Sequence, residues 1–207
     1  MEQTGKRKRL HINNISLVIT VVLFVLMFLF GSVKYNNFLS LSTFLNLFND
    51  NAYLMIAAIG ATFVLISGGI DISIASTIAF TGVGSAYLLE RGVPAFLVII
   101  LMLLAGIIVG CTQGALIHYF KLQPFIVTLA GQFLMRGLCV VISERSIPIS
   151  DPFFKTMALG KVTVRLGEAK AWNGKIYYYV FILVIVFAAA VYTLRYTKFG
   201  RCLYALG

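Results

Sequence analysis

One carboxylate stands inside a long apolar stretch, residues 52–89, where it directly follows a pair of glycines. Asp71 is the single charged residue before Glu90 ends that stretch, and Gly68 and Gly69 lie just ahead of it. A charged side chain at the centre of a spanning helix costs about 2.5–3.5 kcal/mol on insertion scales, so intramembrane carboxylates often mark solute or ion pathways. The alternative is a helix cap, for which Asp is a favoured residue.

The stretch 52–89 is too long to cross a membrane as one helix. At 1.5 Å per residue it would extend about 57 Å, nearly twice the hydrocarbon thickness of about 30 Å. Because adjacent glycines free the backbone, we predict a break at Ser67–Asp71, including Gly68 and Gly69. Transporters use such interruptions to place backbone groups at a binding site. The alternative is a tight hairpin between two spans.

Two polar side chains share one face of a later apolar stretch. Gln132 and Arg136 are four residues apart, which places them on the same side of a helix. Their hydrogen-bonding groups suit a polar solute passing through a polar cavity, and the alternative is a structural pair inside the bundle.

Small residues repeat in another apolar run. Gly106, Gly110 and Gly114 follow each other at four-residue intervals. This spacing lets helix backbones approach closely in membranes, so we predict that these glycines form a helix-packing face.

Motifs for catalysis, metals and nucleotides are missing from the sequence. Cys111, Cys139 and Cys202 show neither CxxC nor Cys/His spacing, so no disulfide framework and no metal site is predicted. His118 has no second ligand or catalytic partner at hand, and no Gly-Lys-Ser/Thr phosphate loop occurs. The sequence therefore predicts a non-enzymatic chain without a cofactor.

Composition indicates that lipid is the solvent of this protein. Hydrophobic residues make up 60% of the 207 residues and charged residues 12%, against about 45–50% and about 25% in soluble domains. The net charge of +10 is distributed between apolar runs. No basic stripe is interleaved with aromatic residues on one helix, which argues against nucleic-acid binding.

The pattern predicts an all-α, polytopic bundle of about six spans. A basic segment, 1–14, and a tail, 195–207, would be cytoplasmic under the positive-inside rule and by parity, with a transmembrane domain, 15–194, between them. Residues Lys34–Asp50 and 143–175 would form external loops. The predicted spans are Ile15–Val33, Ala52–Ile66, Ile72–Leu89, Pro94–Phe120, Phe125–Ile142 and Ile176–Leu194.

Three stretches resemble the ribose/galactose-type permease family of ATP-binding cassette (ABC) importers, also called the branched-chain amino acid/ribose permeases. They are Gly60–Ser73 with the preceding Asn51–Ile59, Pro124–Gly131, and Thr197–Arg201 with the following Tyr204–Gly207. The segment Ser143–Ile149 further resembles the galactofuranose permease subgroup.

The resemblance implies a transport subunit that works with a cytoplasmic ABC ATPase, a second permease subunit and a periplasmic sugar-binding protein in the cell inner membrane. It implies that Gly200 and Arg201 face the ATPase. Because members of the family have roughly ten spans, the chain would be C-terminally truncated at Gly207. The alternatives are a truncated, inactive remnant, or an ion-coupled secondary transporter that uses Asp71.

Overall fold

Eight helices and one two-stranded hairpin form the part of the chain that the computed structural model describes, residues 15–35, 38, 40–165 and 173–207. The segment 1–14, predicted to be cytoplasmic, lies outside these residues. The elements are α1 (Ile15–Lys34), α2 (Leu41–Ile66), α3 (Ile74–Glu90), α4 (Ala95–Phe120), α5 (Pro124–Ile142), α6 (Pro152–Leu159), β1 (Lys161–Arg165), β2 (Asn173–Tyr177), α7 (Tyr178–Tyr196) and α8 (Lys198–Leu206).

Five helices, α1, α2, α4, α5 and α7, are long and apolar enough to cross a membrane, judged by length and composition. The sixth apolar helix, α3, has 17 residues and extends about 26 Å. Most apolar side chains of these helices point outward. Lipid is the medium in which such a surface is stable, because apolar side chains are unfavourable in water, and helices can enter lipid since they satisfy their backbone groups internally. The predicted all-α polytopic bundle is confirmed.

Helix α2 begins earlier than the sequence indicated. The predicted external loop Lys34–Asp50 was wrong for its second half, since α2 starts at Leu41. Ser40 caps the helix by accepting a hydrogen bond from the backbone nitrogen of Thr43 at 3.2 Å. Scattered asparagines lowered the local hydropathy and hid a helical repeat of large apolar residues at Leu41, Phe44, Leu45 and Phe48.

The predicted break between the second and third spans is confirmed, and Gly68 forms it. Gly68 has a φ of 78°. Its amide donates to the carbonyl of Leu65 at 3.1 Å, and the amide of Gly69 donates to the carbonyl of Val64 at 3.0 Å. This pair of bonds is the Schellman motif, which ends a helix at a left-handed residue.

Helix α3 begins at Ile74, two residues later than predicted, because Ser73 is its N-cap residue. Asp71 therefore lies two residues before the cap and does not occupy it. Helix α3 packs between α4 and α5, while α2 packs on α7 and on the hairpin. The buried residues of α3 are all small: Ser76, Gly84 and Ala86.

The predicted external loop 143–175 contains ordered elements in its described part. Helix α6 precedes the antiparallel hairpin, in which Thr163 lies opposite Lys175. Asn49 of α2 is 2% exposed, donates to the carbonyl of Lys175 at 2.8 Å and accepts from the amide of Tyr177 at 3.2 Å. A single side-chain amide thus pairs with the free edge of β2 and joins the hairpin to α2.

We expect Asn49→Ala to release the hairpin. Two backbone groups of β2 would lose their partners, a loss of about 1–3 kcal/mol for each buried group left unsatisfied. Tryptic cleavage at Lys175 in detergent should then be faster. The control is Asn51→Ala, because Asn51 donates only to the carbonyl of Leu47 within its own helix. Equal cleavage rates for Asn49→Ala and the wild type would contradict this account.

We expect Gly68→Ala to lower the thermal stability of the purified protein. A left-handed backbone costs an L residue about 1–2 kcal/mol. Gly60→Ala is the matched control in α2, since a Cβ there meets no atom within 4 Å and Ala favours helix by up to about 1 kcal/mol over Gly. The melting temperatures should therefore move in opposite directions, and a parallel shift would argue against the Schellman ending.

Candidate functional site

A polar cluster joins the link between α2 and α3 to α4. Oδ1 of Asp71 accepts hydrogen bonds from the backbone nitrogen of Ser73 at 2.8 Å and from its hydroxyl at 2.7 Å. The hydroxyl of Ser73, which is 3% exposed, also lies 3.2 Å from Oε1 of Gln113 in α4. The carboxylate, the hydroxyl and the amide thus form one chain of contacts.

Helix α5 holds the same link from the other side. The hydroxyl of Thr128 lies 3.3 Å from the carbonyl of Ile70 and 3.0 Å from that of Pro124. One turn later, Gly131 faces Gln113, and a Cβ added at Gly131 would collide with the amide nitrogen of that side chain. The glycine therefore leaves the space that the amide of Gln113 occupies.

Three cavities follow one another along a single face of α2. The first, about 410 Å³, lies beside the hairpin and is lined by Asn49, Asp50, Tyr53 and Tyr179 among others. The second, about 400 Å³, shares Tyr53 with the first. The third, about 350 Å³, reaches Gly68. We call this series the cavity row; its α2 residues, including Tyr53, Ala57, Gly60, Val64 and Ser67, repeat every three or four positions.

The Asp71–Ser73–Gln113 cluster separates the second cavity from the third. Asp71 and Gln113 line both of them, and so does Gly110. The cavities have volumes in the range of about 300–1,000 Å³ that small-molecule sites occupy. The row extends over the length of a spanning helix, about 26 Å from Asp50 to Ser67, so its geometry suits the passage of a small polar solute.

The three glycines of α4 that were predicted to form a helix-packing face lie beside cavities in the structure. Gly106, Gly110 and Gly114 line the second and third cavities. A Cβ added at any of them would meet no atom within 4 Å, so among the described residues they do not bring two helices together. The helix-packing role of these glycines stays a prediction.

Gln132 and Arg136 lie apart from the polar cluster. Arg136 is exposed and Gln132 is half-buried, and neither lines the cavity row. The buried side of α5 carries Val127, Thr128 and Met135. A role for Gln132 and Arg136 on the solute pathway therefore stays a prediction, and the geometry of the described residues gives it no support.

Sequence reasoning overlooked Gln113 and Thr128. Gln113 follows Gly110 by three residues and so lies on the glycine face of α4, which was the available signal. Thr128 stands inside the stretch Pro124–Gly131, which was noted for its resemblance alone. The predicted group Ser67, Gly68, Gly69 and Asp71 is brought together, since all four line the third cavity.

The two residues predicted to face an ATPase differ in exposure. Gly200 is buried, and a Cβ there would collide with the carbonyl oxygen of Leu194 at the end of α7. Thr197 caps α8 by accepting from the amide of Gly200 at 3.2 Å, so Gly200 serves the tight turn. Arg201 is exposed, and its contact with an ATPase stays a prediction.

We expect Gly131→Ala and Gly137→Ala to have opposite effects on stability. At Gly131 the new methyl group must displace Gln113, whereas at Gly137 it meets no atom within 4 Å. Both substitutions add the helix preference of Ala over Gly, about 0.5–1 kcal/mol. Thermal unfolding in detergent should show a lower melting temperature for the first variant and an equal or higher one for the second. Stabilisation by both would mean that Gln113 moves freely.

Comparison with known proteins places this geometry in a family. The family model described as "Branched-chain amino acid transport system / permease component" matches residues 43–207. The chain is 36% identical over 199 residues to the inner membrane ABC transporter permease protein YjfF of Escherichia coli, covering 94% of this chain and 57% of that protein. No solved structure matches the chain.

Two further relatives are named for sugars. The chain is 37% identical to the fructose import permease protein FruG of Bifidobacterium longum, covering 90% of this chain and 55% of the relative. It is 35% identical to the ribose import permease protein RbsC of Haemophilus influenzae, with 83% and 51% covered. The chain spans about half the length of these curated relatives. It belongs to the branched-chain amino acid transport system permease component family, and within that family it is similar to sugar ABC importer permeases.

Proposed function

We propose that this chain is a membrane-spanning permease subunit of an ABC importer that moves a monosaccharide across the inner membrane. The observation that carries the proposal is the cavity row, which follows one face of a spanning helix from the hairpin to Gly68. A passage of this kind suits transport. Galactofuranose is a candidate sugar, from the resemblance of Ser143–Ile149 to that permease subgroup.

The charges along the cavity row favour a sugar over an amino acid. The row is lined by Asp50 and Asp71, and none of the described residues that line it is Lys, Arg or His. The carboxylate of an amino acid would meet like charge there, without a cation to pair with. A monosaccharide carries no net charge, and its hydroxyl groups can donate to carboxylates and accept from amides. Two of the similar permeases are named for fructose and ribose import.

The proposed partners follow from the family. A cytoplasmic ATPase would supply the energy, a periplasmic sugar-binding protein would deliver the solute, and a second permease subunit would complete the passage. We place the hairpin on the periplasmic side and α8, with Arg201, on the cytoplasmic side, with a cytoplasmic N-terminus. The sugar would then enter beside Asn49 and Tyr53 and leave past Gly68, with the subunits rocking between outward-open and inward-open states.

The test is sugar uptake by cells that express the protein with its cognate ATPase and binding protein. Radiolabelled D-ribose, D-fructose, D-galactose and galactofuranose are supplied in turn, and we expect uptake of at least one of them. This uptake should stop when the ATPase is deleted and should persist in the presence of a protonophore while cellular ATP is maintained. Uptake without the ATPase, or no uptake of any of the four sugars, would overturn the proposal.

Asp71→Asn separates this proposal from the ion-coupled alternative in the same assay. Asn keeps an acceptor for Ser73 and removes the charge, and charge-assisted hydrogen bonds are roughly twice as strong as neutral ones. We expect uptake about tenfold lower that is still dependent on ATP. Glu90→Gln is the control, since Glu90 is exposed at the end of α3. An ion-coupled carrier would instead lose all uptake in Asp71→Asn, and its wild type would respond to the protonophore.

A further inference from the structure

The fold leaves the side-chain amide of Gln113 with an unsatisfied hydrogen-bonding group. Its nitrogen is buried and has no hydrogen-bond partner among the described residues. Buried polar groups are nearly always paired, and each exception calls for an explanation such as a missing ligand. The side chain is also confined, because Gly131 lies directly against its amide.

Turning the amide over does not remove the problem. The hydroxyl of Ser73 has one hydrogen and lies within reach of both Oδ1 of Asp71, at 2.7 Å, and Oε1 of Gln113, at 3.2 Å. If the hydroxyl donates to Asp71, the reversed amide can donate to the hydroxyl. The carbonyl oxygen of Gln113 then takes the place of the unpaired nitrogen. In both orientations one end of the amide lacks a partner.

This unpaired group lies in the polar cluster that the second and third cavities share. Gln113 and Asp71 line the second and the third cavity together. Both hydrogen bonds that Asp71 accepts end on Oδ1, and among the described residues Oδ2 has no donor. An unused carboxylate oxygen and an unused amide group therefore lie on either side of Ser73.

We propose that Asp71 and Gln113, joined by Ser73, form a binding subsite for the hydroxyl groups of a neutral solute of monosaccharide size. This inference rests on the proposed function, and it adds Gln113 as a residue that binds the solute. A hydroxyl group both donates and accepts, so one hydroxyl can donate to Oδ2 of Asp71 while it or its neighbour pairs with the amide. Sites built on such groups reject analogues that lack the hydroxyl.

Gln113→Met separates a solute-binding role from a structural one. Met has nearly the length of Gln, is unbranched and adapts to irregular spaces, and it removes the unpaired amide. Ser73 can still donate to Asp71. We expect a melting temperature in detergent equal to or above that of the wild type, together with an uptake of the transported sugar about tenfold lower at equal membrane levels.

Thr112→Val is the matched control on the same helix. It removes a hydroxyl that is bonded to the carbonyl of Ile108 in its own helix, and it should leave uptake unchanged. Gln113→Asn is a second variant, which keeps an amide but withdraws it by one methylene; we expect lowered uptake here too. If Gln113→Met does not reach the membrane, uptake by Gln113→Asn is measured in its place.

The outcomes distinguish the subsite from the proposed function. Wild-type uptake in Gln113→Met would overturn the subsite and leave the permease function standing. A melting temperature that falls together with uptake would show that Gln113 is a structural residue only, which also overturns the subsite. If the wild type transports none of the supplied sugars, the proposed function fails, independently of any Gln113 variant.

Discussion

The structure depends on how the chain satisfies its backbone where helical hydrogen bonding stops inside an apolar protein. Lipid offers no water to unpaired amide and carbonyl groups, so irregular backbone at membrane depth is stable only where protein surrounds it or a polar cavity adjoins it. Regular helical hydrogen bonding stops in residues 67–73, between α2 and α3. Gly68 closes α2 with two backbone bonds, Asp71 accepts from the amide of Ser73, and Thr128 reaches the carbonyl of Ile70.

The groups that hydrogen-bond to the backbone of this link also form the candidate site. Satisfying the link brings its own carboxylate and hydroxyl together with an amide from α4 and a hydroxyl from α5. The same glycines that keep the surroundings open, Gly110 on α4 and Gly131 on α5, leave room for cavities and for the amide of Gln113. The groups that satisfy the link and the groups of the candidate site are therefore largely the same.

At the other end of the cavity row, the side chain of Asn49 joins the hairpin to α2. Asn49 pairs with β2 as a neighbouring strand would, through one donor and one acceptor. The hairpin is packed against α2 at Gly174, where a Cβ would collide with Leu45. The first cavity is lined by Asn49 on α2 and by Tyr179, which follows the hairpin near the start of α7.

The sequence by itself determined the medium, the secondary-structure class and the break at Gly68, because hydropathy and glycine pairs act locally along the chain. Resemblance of whole motifs indicated the family, which the comparisons then confirmed. Sequence reasoning chose Gln132 and Arg136 for the pathway from their helical spacing and their hydrogen-bonding groups, which stays a prediction, and it left out Gln113 and Thr128. Only the tertiary structure decided that α3 lies between α4 and α5, which brings Gln113 and Thr128 to the link. Spacing along a chain shows which residues share a helix face, whereas the partner of that face depends on how the helices pack.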